Sequence, residues 1–215
     1  MSDARREILA RIAATRTSAT PRPPRAVPRD YRHAGARPRA EVVMRFCERV
    51  SDYQAEVRQL GESAVADAVA RACERHGAGR LVIPSGLPDS WRPHGIELVP
   101  DAAFDAATLD GFDGALTGCT VAIAETGTIA LTGSDREGRR AVTLVPDLHI
   151  CVVRQSQIVE LVPEAIEVLG ELVGQEARPV TLVSGPSATS DIELSGVEGV
   201  HGPRTLVVLV TDLTP

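Results

Sequence analysis

L-V-P-D-L-H-I-C-V-V, residues 144–153, is the stretch on which the fold turns. From Leu148 onward every side chain except His149 is apolar, and Ile150, Val152 and Val153 are β-branched. A strand with one wet face alternates apolar and polar residues. This one does not, so both of its faces need cover. Strands of that kind belong to parallel sheets flanked by helices. A period of two still separates the faces, with Asp147, His149 and Cys151 on one and Leu148, Ile150 and Val152 on the other.

Similar runs recur on both sides of it. R-L-V-I-P-S-G (80–86), I-E-L-V-P (96–100), T-V-A-I-A (120–124), P-V-T-L-V-S-G (179–185) and T-L-V-V-L-V (205–210) each read as a strand. G-T-I-A-L-T-G (127–133) follows the 120–124 run closely enough for a tight strand pair. Helical patterns lie between them. Glu41–Ser51 spaces Val42, Val43, Phe46 and Val50 along one face. Glu62–Glu74 repeats this with Val65, Val69 and Cys73 and stops at His76-Gly77. Pro163–Val173 has Pro in its first turn and Ile166, Leu169 and Val173 on one stripe. Residues 41–215 therefore predict a single α/β domain whose strands complete one largely parallel sheet covered by helices.

Of the 215 residues 43% are apolar but only six are aromatic, so the core must be aliphatic. Charge is unevenly spread. Residues 1–40 hold ten Arg and three acids, a net of +7, whereas residues 41–215 hold 13 Arg and 26 acids, a net of −13. The chain opens with a short amphipathic helix, Ser2–Ala14, carrying Ile8, Leu9 and Ile12 on one side. T-P-R-P-P-R-A-V-P-R-D (20–30) then forbids helix and favours extended backbone. Residues 1–40 thus read as a basic Pro/Arg-rich arm, suited to a protein partner, a second copy or solvent. Nucleic acid is disfavoured, because the domain behind the arm is acidic and no aromatic residues interleave the arginines.

All 23 residues of the Lys and Arg class are Arg, and Asn is also absent. Without Lys there is no phosphate-loop lysine, no Schiff base and no lysine general base. Cys47, Cys73, Cys119 and Cys151 lack the C-x2-C spacing of zinc or iron–sulfur ligands. They read as buried free thiols, and no metal or cofactor is expected on this chain. No apolar run approaches the roughly 20 residues of a membrane span, and the charged N-terminus is unlike a secretory leader. The expected location is the cytoplasm.

In open α/β sheets ligands gather beyond the carboxyl ends of strands, and three segments are expected to place polar groups where an apolar strand stops. In G-C-T-V-A-I-A-E-T-G-T-I (118–129), Glu125 is the only charged residue between Asp113 and Asp135. It can be a nucleophile, a general base, an anchor for a partner or a structural carboxylate, with Thr126 and Gly127 offering a hydroxyl and a closely approachable backbone. In the 144–153 run, Asp147 can orient the His149 imidazole for catalysis, or His149 can be a satisfied core residue. In V-S-G-P-S-A-T-S-D-I-E (183–193), Ser184, Ser187 and Asp191 precede or enter a helix predicted from the Ser190–Glu193 capping box. That segment suits a small anion or an ordinary helix cap. Further on, G-V-E-G-V-H-G-P-R (196–204) carries His201 and Arg204, the latter able to clamp a carboxylate or pair with a local acid. Neither a G-x-S-x-G elbow nor a G-x-G-x-x-G fingerprint accompanies these segments.

A-I-A-E-T-G-T-I (122–129), L-V-P-D-L-H-I-C-V-V (144–153) and S-G-P-S-A-T-S-D-I-E…G-V-H-G-P-R (184–204) together resemble the lactate-utilisation domain family. The likeness is specific over residues 115–210 and looser over 41–114. It implies the α/β fold shared by sugar-phosphate isomerases, glucosamine-phosphate deaminases and CoA transferases. It also implies a part in oxidising L-lactate to pyruvate beside iron–sulfur partner subunits, and it assigns no catalytic residue to this chain.

The expectation is a non-redox subunit of a lactate-utilisation system that binds a small carboxylate, its iron–sulfur partners, or both, with self-association open. Glu125, Thr126, His149, Ser187 and His201 are expected to line one pocket, with Asp147, Asp191 and Arg204 supporting or rimming it. Two alternatives compete. One is a CoA-transferase-like or hydrolytic enzyme acting through Glu125, where Thr126 stands in place of the Asn that resemblance would require. The other is a nucleic-acid-associated regulator acting through the arm.

Overall fold

The computed structural model describes residues 3–18, 27–176, 178–190, 196–198 and 201–212. The chain forms two units, Met1–Tyr31 and Arg32–Pro215. In the first, helix α1 runs Asp3–Ser18, and its Ile8, Leu9 and Ile12 are each more than half exposed.

In the second unit, the apolar run L-H-I-C-V-V forms β7 (Leu148–Arg154), buried from Leu148 to Val153. It sits inside a six-stranded parallel sheet with β1 (Glu56–Leu60), β2 (Arg80–Ile83), β3 (Glu97–Pro100), β4 (Gly114–Thr117) and β12 (Thr205–Thr211). The order is β1-β12-β7-β4-β2-β3. The two faces of β7 meet different cover, as its alternation requires. Leu148, Ile150 and Val152 pack with Val65, Val69 and Cys73 of α3 (Val65–His76). Cys151 and Val153 pack with Val42, Val43, Phe46 and Val50 of α2 (Arg39–Asp52). Each Val, Leu or Ile so buried is worth about 1.5–3 kcal/mol, which makes this layer the stable centre.

The strands do not form one sheet. β5 (Val121–Ile123) and β6 (Thr128–Leu131) pair antiparallel, as their short connection demands, but in a second sheet ordered β8-β5-β6-β9. Its other members are β8 (Ile158–Val159), parallel to β5, and β9 (Thr181–Val183), antiparallel to β6. Helix α5 (Val162–Glu176) covers this sheet through Ala165 and Leu169. A short helix α4 (Ala106–Asp110) precedes β4, capped by the Asp105 carboxylate accepting from the Thr108 amide. No helix among the described residues is long and apolar enough to cross a membrane.

The second unit begins at Arg32, and the Gly35 amide donates to Glu164 and the Arg37 amide to Glu160, which tie residues 32–38 to its body. β10 (Ala188–Ser190) pairs antiparallel with β11 (Gly196–Glu198). The helix expected to start at Ser190 would run through residues 191–195, which, Asp191 included, lie outside the described residues.

Candidate functional site

Each site residue follows from the strand or turn that carries it. His149 is the second residue of β7, so it lies at the amino end of a central strand rather than beyond a carboxyl end. It is 1% exposed, and its Nε2 lies 2.8 Å from Thr117 Oγ1. Thr117 donates its own hydroxyl proton to the Gly118 carbonyl at 2.9 Å, so the imidazole must be the donor to Thr117. That leaves Nδ1 as a bare acceptor, and it has no partner among the described residues. Burial pushes the ring down to a pKa of about 4, so it is neutral near pH 7. Asp147 does not orient this ring. Its carboxylate faces outward to Arg204 at 3.4 Å, an exposed pair at the start of β7 and β12.

Glu125 lies in the turn after β5 and is not stranded from water. Its carboxylate is 36% exposed and 3.5 Å from Arg32, while its amide donates to the Glu160 carbonyl. Gly127, in the same turn, has φ +63°, and a Cβ there would lie 2.8 Å from the Arg49 backbone of α2. Only glycine meets both conditions. Gly185 repeats the device after β9, with φ +88° and a would-be Cβ 2.5 Å from Tyr53 Cβ, at the C-cap of α2.

Hydroxyl groups run from the first of these turns to the second. Thr126 Oγ1 lies 2.7 Å from Thr128 Oγ1, which lies 2.8 Å from Ser184 Oγ. Ser184 opens a cleft of about 300 Å³ whose wall also contains Arg140, Thr143, Thr181, Ser187 and His201. Ser187 Oγ accepts from the His201 amide at 3.0 Å, and the Ser187 amide donates to the Pro203 carbonyl at 2.8 Å, which fixes the two loops against each other. Arg140 is exposed and makes no ion pair among the described residues.

The structure thus brings Ser184, Ser187 and His201 into one cleft and links Thr126 to it through Thr128. Neither Glu125 nor His149 is part of its wall, and Asp147 and Arg204 pair with each other. Arg140, Thr143 and Thr128 escape the sequence reading. Arg140 is one of 23 arginines with no motif around it, and Thr128 sits mid-run in an apparently apolar strand. A wall that holds an arginine, several hydroxyl-bearing residues and a histidine has the chemistry to suit a small oxygen-rich anion. Among the described residues no group of three or more His, Cys, Asp or Glu could hold a metal ion.

Glu137 shows how a buried carboxylate is satisfied without function. It is fully buried and accepts from the Thr132 amide at 2.6 Å, the Ser134 amide at 3.1 Å and the Thr120 hydroxyl at 2.5 Å. Such an acid holds its own turn and has nothing left for a ligand.

Comparison with known proteins adds an independent line. The family model described as LUD domain matches residues 106–211. Lactate utilization protein C of Deinococcus radiodurans is 47% identical over 173 residues, 80% of each chain. Lactate utilization protein C of Bacillus licheniformis is 31% identical over 164 residues, 68% of each chain. A crystal structure of a DUF162 family protein from Deinococcus radiodurans superposes with a TM-score of 0.72 at 41% identity, covering 82% of this chain and 99% of that one.

Proposed function

The chain belongs to the LUD domain family, and from that membership we propose that it serves lactate utilisation as a subunit that binds a small carboxylate, L-lactate or pyruvate, in the Arg140–Ser184–Ser187–His201 cleft. One observation supports this reading: Arg140 and the hydroxyl-bearing Thr143, Thr181, Ser184 and Ser187 line one cleft of about 300 Å³, the lower end of the range for small-molecule sites. Arg140 would take the carboxylate, and Ser184 and Ser187 the 2-hydroxyl or 2-keto oxygen. The scattered cysteines, without ligand spacing, fit a division of labour in which iron–sulfur partner subunits carry the electrons.

Titrating the protein with L-lactate and with pyruvate, followed by calorimetry or amide shifts, tests it. Hydrogen bonds to a charged group are worth about 1.5–3 kcal/mol, so Arg140→Ala should weaken binding by roughly 10- to 100-fold. Arg58→Ala, on edge strand β1, should leave it unchanged. The reading fails if neither acid binds, or if Arg140→Ala binds as well as the parent.

A further inference from the structure

Helix α5 is covered on one side only. Beyond the buried Ala165 and Leu169, it turns Val162 and Ile166, neighbours on one side of that stripe, to solvent at 36 and 56% exposure. Glu167 and Glu171, one turn apart, border this apolar ridge on the outer face, and neither makes an ion pair among the described residues. A Cβ built at Gly170, on the same side of the helix, would meet no atom within 4 Å. An apolar ridge edged with acids fits an apolar helix edged with bases. A second α5 does not qualify, since it would set carboxylates against carboxylates.

Helix α1 has the required chemistry. Ile8, Leu9 and Ile12 are 57, 53 and 51% exposed, and Arg5 and Arg11 stand on the same turns without an ion pair among the described residues. The charge totals point the same way, +7 for residues 1–40 against −13 for the remainder. We propose that α1 of one molecule docks on the outer face of α5 in a second copy, with Ile8, Leu9 and Ile12 against Val162 and Ile166 and with Arg5 and Arg11 facing Glu167 and Glu171. This association is independent of any ligand in the cleft.

Light scattering on the full chain tests it. At low ionic strength the protein should have at least twice the chain mass. Raising salt toward about 1 M, where the screening length falls to about 3 Å, should shift it toward monomer. Glu167→Arg with Glu171→Arg should give monomer, and adding Arg5→Glu with Arg11→Glu should restore the larger mass. Gly170→Leu has room in the isolated fold, so it should keep its melting temperature while blocking the approach of a second helix. A monomeric parent protein at every concentration overturns the proposal. So does failure of the charge-swapped protein to reassociate, or an unchanged mass in Gly170→Leu.

Discussion

His149 donates from Nε2 to Thr117 Oγ1 across 2.8 Å inside the central sheet, and its other nitrogen meets no partner among the described residues. The contact explains why a histidine is tolerated where every neighbour along the strand is apolar. One polar atom is satisfied, and the unpaired atom is an acceptor that needs no proton.

This arrangement predicts a particular sensitivity to acid. The folded pKa of about 4 lies below the ordinary 6.5. Between those values the unfolded chain takes up a proton that the folded chain refuses, so stability present above pH 6.5 is lost as pH falls toward 4. The shift corresponds to about 3 kcal/mol once the window is crossed. His149→Gln, which can still donate to Thr117, should lose less stability than the parent between pH 7 and pH 4.5 in urea unfolding. Equal losses would show that the ring does not control this range.

Gly35 lies so close to Glu160 that a Cβ would fall 2.3 Å from Oε2 and 2.5 Å from the Glu160 Cβ. The Arg37 amide, at 2.9 Å, holds that carboxyl below the usual range. Gly35→Ala should therefore displace the 32–38 segment and cost about 1–3 kcal/mol, as overpacking does. The check is a lower unfolding midpoint together with faster proteolysis within this segment. If Ala is accommodated without loss, the close approach is not binding on the fold.

The Thr126–Thr128–Ser184 hydroxyl row should matter to the cleft more than to the fold. Thr128→Val keeps the shape and removes the middle oxygen, for a stability cost near 1 kcal/mol. Ser184 then loses the partner that fixes its rotamer, and carboxylate binding should weaken severalfold while Arg140 is untouched. Unchanged affinity would mean that the row is scaffolding alone.

Arg204 and Asp147 make the opposite case. Their side chains are 60 and 65% exposed at 3.4 Å, and pairs of this kind contribute about 0–1 kcal/mol. Arg204→Ala should change the unfolding midpoint little and leave carboxylate affinity as it was. A loss of affinity comparable to that expected for Arg140→Ala would bring Arg204 back as a ligand clamp.

What could be read from the sequence was whatever a single segment settles by itself. The run at 148–153 announces cover on both sides because no polar residue alternates within it, and Gly77 marks the end of α3 by its own backbone preference. Sheet membership was hidden, because the 120–133 and 179–185 runs look as apolar as β7 while their pairing depends on where the chain crosses over. Strand β1, E-V-R-Q-L, carries no strand signal because an edge strand can stay polar, and β4, G-A-L-T, carries none because its residues are small. The candidate site was half legible. Serine and histidine in a Gly/Pro-rich loop invite attention, but an arginine contributed from a separate 3-10 turn, Arg140, does not.

The two glycine turns behind the cleft bear on the same helix, one against Arg49 and the other against Tyr53. They form a hinge pin: the wall holding Ser184 cannot shift without nudging the last turn of α2, and the reverse holds too. Occupancy of the cleft should consequently be audible at a distance, as slower amide exchange over residues 49–53. A mutation that loosens α2 should blunt recognition without touching a single residue of the wall.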